Sequence, residues 1–212
     1  MTPVFYEDSP SQALRFGDVI QGFVTTSARV DSPSPTIRPE EYSIEVKAPE
    51  YAVILTPCCS IGRGCLCLAP LQQILPGFLD NPFLEADLTR VNRPMRPEQS
   101  VPPDRWASMG QEEKDRRFDA NRPLAFAFNS FFIYAPHDLL PSYSLNRRGG
   151  PVETAHYLID FSAGCRIECK EIHNAQQAPL QTKLLELTVQ ARSDLREKMA
   201  DYFGRVPAED LP

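Results

Sequence analysis

Apolar and polar positions alternate along the chain in short runs, separated by stretches rich in proline. From about Ala13, LRFGDVIQGFVTT places Phe16, Val19, Ile20 and Phe23 as a strand would, with Gly17 and Gly22 as irregularities. YSIEVKAP sets Ile44 and Val46 against Glu45 and Lys47, the alternation of a half-exposed strand. YAVILTP, from Tyr51 to Pro57, is short and almost uniformly apolar, which suits a strand buried on both faces. CLCLAPL follows the polar turn SIGRG and reads as its hairpin partner. Further on, PLAFAFNSFFIYAP predicts a core strand or hairpin. HYLIDF and CRIECKEI predict two more strands, with Tyr157, Ile159 and Phe161 on one face of the first and Cys165, Ile167 and Cys169 on one face of the second.

Helical signals are fewer. FLDNPFLEADL accommodates one helical turn, and DRWASMGQEEKDRRFDAN is helix-permissive apart from Gly110. Near the C-terminus Leu184, Leu187, Leu195, Met199, Tyr202 and Phe203 fall at near-helical spacing, so a helix over about 180–204 packed on the sheet is expected, ending at Gly204. The pattern predicts a mainly β, α+β fold: a small antiparallel barrel with a helix closing one end. A single domain over 1–212 is expected, its barrel core at about 13–75 and 123–172. A proline-rich insertion at about 76–122 should drape over the surface.

Composition sharpens this in one respect. The chain has 21 prolines against 10 glycines, which favours rigid irregular connections over long helices. DSPSPTIRPEE is such a loop. Charge excludes more: the net charge is −6, and neither half has a basic excess, with 9 basic against 13 acidic residues up to Trp106 and 13 against 15 after it. That argues against nucleic acid as a partner held by general electrostatics. The start MTPVFYEDSPSQ lacks the basic and apolar regions of a secretory signal, and no apolar run approaches the roughly 20 residues of a spanning helix. A cytoplasmic protein without membrane association is expected.

The motif search excludes several chemistries. No glycine-rich phosphate loop, GxGxxG unit, GxSxG elbow or HExxH pair occurs, and no motif implies a cofactor. Cys58, Cys59, Cys65 and Cys67 lie within ten residues at the ends of the two central strands, and thiolates so clustered are candidate zinc ligands. No CxxC knuckle is present, however, and Cys-x-Cys along a strand is poor chelate geometry. The reading adopted is that these cysteines, with Cys165 and Cys169, are free thiols packed as small hydrophobes. A nucleophilic Cys59 would need a base and an orienting group, for which His156 and Asp160 are the candidates.

Gly17-Asp18-Val19 on a first strand, a loop, YAVILTP, a polar turn and CLCLAPL together resemble the core of the PemK/MazF toxin family over residues 16–71. The resemblance implies an SH3-like barrel with an exposed Asp18 starting one strand and Pro70 ending another. It also implies ribonuclease chemistry, which needs a base, an acid and a cation at the phosphate. Asp18, Arg63 and His156 are the residues that would supply them. Where the family has Arg-Pro before its central strand this chain has Pro49-Glu50, and Leu71 stands where a polar Ser or Thr is the family's pattern. The wider pattern is similar to uncharacterised bacterial proteins with Thr/Ser-x-x-Cys-Asp-Ile at the central turn, often neighbours of defence genes; here Ser60 follows Cys59. The expected function is a non-catalytic accessory or regulatory factor that binds a protein partner from the same operon, in a bacterial defence or toxin–antitoxin-like system. The alternative is a PemK/MazF-type endoribonuclease with rearranged catalytic residues, acting on RNA.

Overall fold

The computed structural model describes residues 4–30, 42–61, 64–117, 123–147, 149–168 and 182–204. It divides into two compact units, one formed by 1–71 and 162–188 and the other by 72–161 and 189–212. Each has its own sheet and its own apolar cluster.

The first unit is built on an antiparallel sheet of five strands: β1 (Val19–Ile20), β4 (Ala52–Ile54), β5 (Cys65–Pro70), β11 (Cys165–Glu168) and β12 (Lys183–Leu185), in the order β11-β5-β4-β1-β12. β4 and β5 form the expected hairpin, with Ile54 opposite Leu68. β4 is buried throughout, as a uniformly apolar strand must be. Leu14, Ile20, Ala52, Ile54, Leu66 and Leu68 cluster on one side, with Cys165 and Ile167 packed against them. β2 (Thr25–Val30) and β3 (Tyr42–Lys47) form a separate two-stranded ribbon.

The second unit has a three-stranded sheet in the order β6-β10-β7, from β6 (Gln72–Gln73), β7 (Phe131–Tyr134) and β10 (Tyr157–Asp160). β8 (Tyr143–Arg147) and β9 (Gly150–Thr154) make a hairpin, in which Gly150 takes the left-handed φ of 109° that the tight connection needs. Among the described residues, three short helices, α1 (Pro76–Leu79), α2 (Pro103–Ser108) and α3 (Gln111–Arg117), precede the long helix α4 (Val189–Phe203).

Three expectations are corrected. No closed barrel forms among the described residues; the larger sheet is open, with β11 and β12 at its edges. The first part of the segment expected to drape over the surface is core instead: Phe78, Leu79, Leu84, Leu88, Val91 and Met95 belong to the second unit's apolar cluster, while α2 and α3 bury no residue. Proline makes this chain irregular without making it polar, and the leucines between the prolines still leave water. The C-terminal helix begins at Val189 rather than near 180, because Lys183–Leu185 pairs with β1 as an edge strand. No helix among the described residues is long and apolar enough to cross a membrane.

Candidate functional site

The Gly-Asp pair begins a tight turn that feeds β1. Gly17 has φ 89°, its N–H donates to the Ile54 carbonyl at 2.7 Å, and the Asp18 N–H donates to the Arg15 carbonyl at 3.2 Å. The turn carries Asp18 inward. Its carboxylate is fully buried, which corrects the expectation of an exposed acid at the start of a strand. Asp18 Oδ2 accepts from the Arg15 N–H at 2.7 Å and from Lys183 Nζ at 2.8 Å.

Lys183 comes from β12 and is equally buried. Its other two donated bonds go to Glu186 Oε2 at 2.8 Å and the Ala13 carbonyl at 2.7 Å, so its three protons are all placed. Glu186 also accepts from the Ser11 N–H at 2.8 Å and Ser11 Oγ at 2.9 Å, and pairs with Arg15 Nε at 3.1 Å. Two acids and two bases thus neutralise one another and sew residues 11–18 to β12. Burial pushes the Asp18 carboxyl up to about 6, against the pull of Lys183, and its Oδ1 has no hydrogen-bond partner. Burial acts on Glu186 in the same sense, but the bonds from Lys183 and Ser11 outweigh it and bring that carboxyl down to about 2. The cluster ties the fold together; its buried acids present no accessible face to a substrate.

The cysteines fall on two sides. Leu66 and Leu68 take the inward positions of β5, so Cys65 and Cys67 share the outward face, with Cys67 exposed and Cys65 half-buried. Cys58 and Cys59 are exposed in the 3-10 turn Cys58–Ser60; the Phe16 N–H donates to Cys58 Sγ at 3.4 Å, and Cys59 Sγ lies 3.9 Å from Ser60 Oγ. The expectation of a core thiol is therefore corrected for Cys67, while Cys58 and Cys59 lie at the turn between the two strands. It is Cys165, opposite Leu68 on β11, that packs against the apolar cluster. Among the described residues no three His, Cys, Asp or Glu side chains are grouped to hold a metal ion.

His156 belongs to the second unit and is half-buried at the start of β10. Its Nδ1 lies 3.2 Å from Thr154 Oγ1, which also accepts from the His156 N–H at 3.2 Å. Tyr143 Oη donates to the His156 carbonyl, and burial lowers the imidazole pKa, keeping the ring neutral at pH 7. Thr154 Oγ1 is the side-chain group within hydrogen-bond distance of the ring's Nδ1. Arg63 and Cys169 lie outside the described residues.

Sequence reasoning missed Lys183 and Glu186, and in the second unit a further buried lysine. Lys198, on α4, is fully buried and donates to the Val91 and Ala127 carbonyls. In sequence it stands among Arg196, Glu197 and Asp201 like any solvated helix residue. Compared with known proteins, the chain matches no family model, no curated protein and no solved structure.

Proposed function

We propose that this chain is a non-catalytic accessory factor that works by binding another protein, encoded beside it in a bacterial defence or toxin–antitoxin-like operon. The observation that carries the reading is the β2–β3 ribbon. Opposed residues of an antiparallel pair share a face, and here Ala28 faces Ile44 while Thr26 faces Val46. Ile44 is 72% and Val46 63% exposed, whereas Ser27, Glu45 and Lys47 occupy the other side. β2 packs against β5 and β11 of its own unit, while Ile44 and Val46 stay exposed, and an apolar surface laid on this face would take them out of water. Burial of Asp18 beside Lys183 favours this reading over the ribonuclease alternative, which needs Asp18 open to RNA.

The test is size-exclusion of the full chain mixed with each neighbouring gene product. One neighbour should co-elute with the native chain and not with an Ile44→Asp, Val46→Asp variant. Elution alone beside every neighbour, or cleavage of RNA by the native chain, overturns the reading.

A further inference from the structure

In the second unit, residues 87–99 fold into a compact strap whose outer side is concave. Asp87 starts it, accepting from the Thr89 N–H at 2.9 Å and Thr89 Oγ1 at 2.6 Å and so capping the 3-10 turn Leu88–Asn92. Arg90 lies within this turn and Arg93 is its extended C-cap, and both line the same cleft. Arg96 follows three residues later. These guanidinium groups line a cleft of about 250 Å³, with Met95 and Leu124 supplying apolar wall.

The strap is held from behind by buried polar groups. Asn92 brackets β7, donating to the Ile133 carbonyl at 2.6 Å and accepting from the Ile133 N–H at 2.8 Å. Met95 and Ala125 exchange two backbone hydrogen bonds, at 2.9 and 3.1 Å. Lys198 ties the Val91 carbonyl to the Ala127 carbonyl. A fully buried lysine is a costly anchor for an ordinary surface turn, and burial lowers its pKa well below the usual lysine range. The arginines therefore stand on a base that needs little ordering when a ligand binds.

Their donors are only partly engaged. Arg90 gives one bond from Nη1 to the Phe83 carbonyl at 3.1 Å. Arg93 pairs through Nε with Asp194 Oδ2 at 2.9 Å, and Arg96 Nη1 lies 3.9 Å from Glu98 Oε1. Terminal nitrogens remain on all three. Asp87, Asp194 and Glu98 balance the three arginines in charge, so an anion would be held by the remaining guanidinium N–H donors and not by a net positive field.

We propose that this cleft binds a small phosphomonoester, its phosphoryl group held by Arg90, Arg93 and Arg96 and its organic part set against Met95 and Leu124. A phosphoryl group offers three acceptor oxygens, which suits several guanidinium forks better than the two oxygens of a carboxylate do. The cleft is smaller than the roughly 300–1,000 Å³ of sites for drug-sized ligands, so a compact ester fits and a dinucleotide does not.

Isothermal titration calorimetry on the full chain tests this, with phenyl phosphate, benzoate and hexauridylate as the three probes. Phenyl phosphate should bind at least about tenfold more tightly than benzoate. Arg90→Gln and Arg96→Gln should each weaken it about tenfold, while Arg116→Gln on α3 should leave it unchanged. Arg96 is 68% exposed, so its variant tests the cleft even if the Arg90 variant misfolds. No binding of phenyl phosphate, or binding indifferent to Arg96→Gln, overturns the proposal. So does hexauridylate binding through the same arginines in preference to phenyl phosphate, which would make the cleft an RNA surface.

Discussion

Asp18 and Lys183 show how the same pair can be costly and necessary. Each charge has been taken out of water, and a buried pair of this kind often contributes little net stability against a well-packed apolar substitute. Removing one partner is different, because it strands the rest. Lys183→Met would leave Asp18 and Glu186 facing each other without their shared cation, at a cost of about 3–5 kcal/mol. Asp18→Asn keeps Lys183 bonded to Glu186 and Ala13 and should cost about 1–2 kcal/mol. Urea unfolding midpoints of the two variants check the order; an asparagine variant as damaged as the methionine one would contradict this account.

Strand β5 carries two chemistries on its two faces. Leu66 and Leu68 pack inward while Cys65 and Cys67 look out, so neighbouring positions differ sharply in what a substitution does. Leu68→Ala should cost about 2–5 kcal/mol through lost contacts and a residual cavity. Cys67→Ser, on the exposed face, should stay within about 0.5 kcal/mol. Chemical denaturation of both variants decides it, and a large loss at Cys67 would mean that its face is covered. The same element-scale view applies to β12. Leu184 and Leu187 are three residues apart, a spacing that suggests a helix, but Leu185 and Leu187 are both buried and Lys183 pairs with Ile20. Pairing with β1 extends the sheet and carries Lys183 to Asp18, and a helix starting near 180 would provide neither.

For the molecule as a whole, the shifted groups set a pH dependence with opposing slopes. Asp18, raised to about 6, favours the folded state at low pH, and its contribution is lost as pH rises from 4 through 6. Glu186, lowered to about 2, contributes stability that is present above its ordinary range and lost as pH falls toward 2. His156, held neutral by burial, adds stability above its ordinary pKa and loses it in acid. Urea unfolding of the native chain and Asp18→Asn at pH 4.5 and 6.5 isolates the first of these, because His156 contributes alike to both. The native chain should lose stability relative to Asp18→Asn over that interval, and parallel profiles would show that Asp18 does not titrate there.

The strands whose burial is set by their own residues were legible in the sequence. YAVILTP and CLCLAPL announce a hairpin because a continuous apolar run beside a polar turn has few other ways to leave water. Tyr157–Asp160 and Cys165–Glu168 followed from alternation alone. The face of β5 that meets the core was decided by tertiary structure, since Cys and Leu both suit an interior and only packing chooses between them. Prolines marked 76–122 as irregular, but whether an irregular chain lies on a surface or fills a core depends on what it packs against. The ion cluster needed partners from both ends of the first unit, with Lys183 reaching Ala13 across 170 positions. Lys198 is the clearest case. Nothing near it in sequence predicts burial, because the carbonyls that satisfy it come from residues 107 and 71 positions away, brought to α4 only by folding.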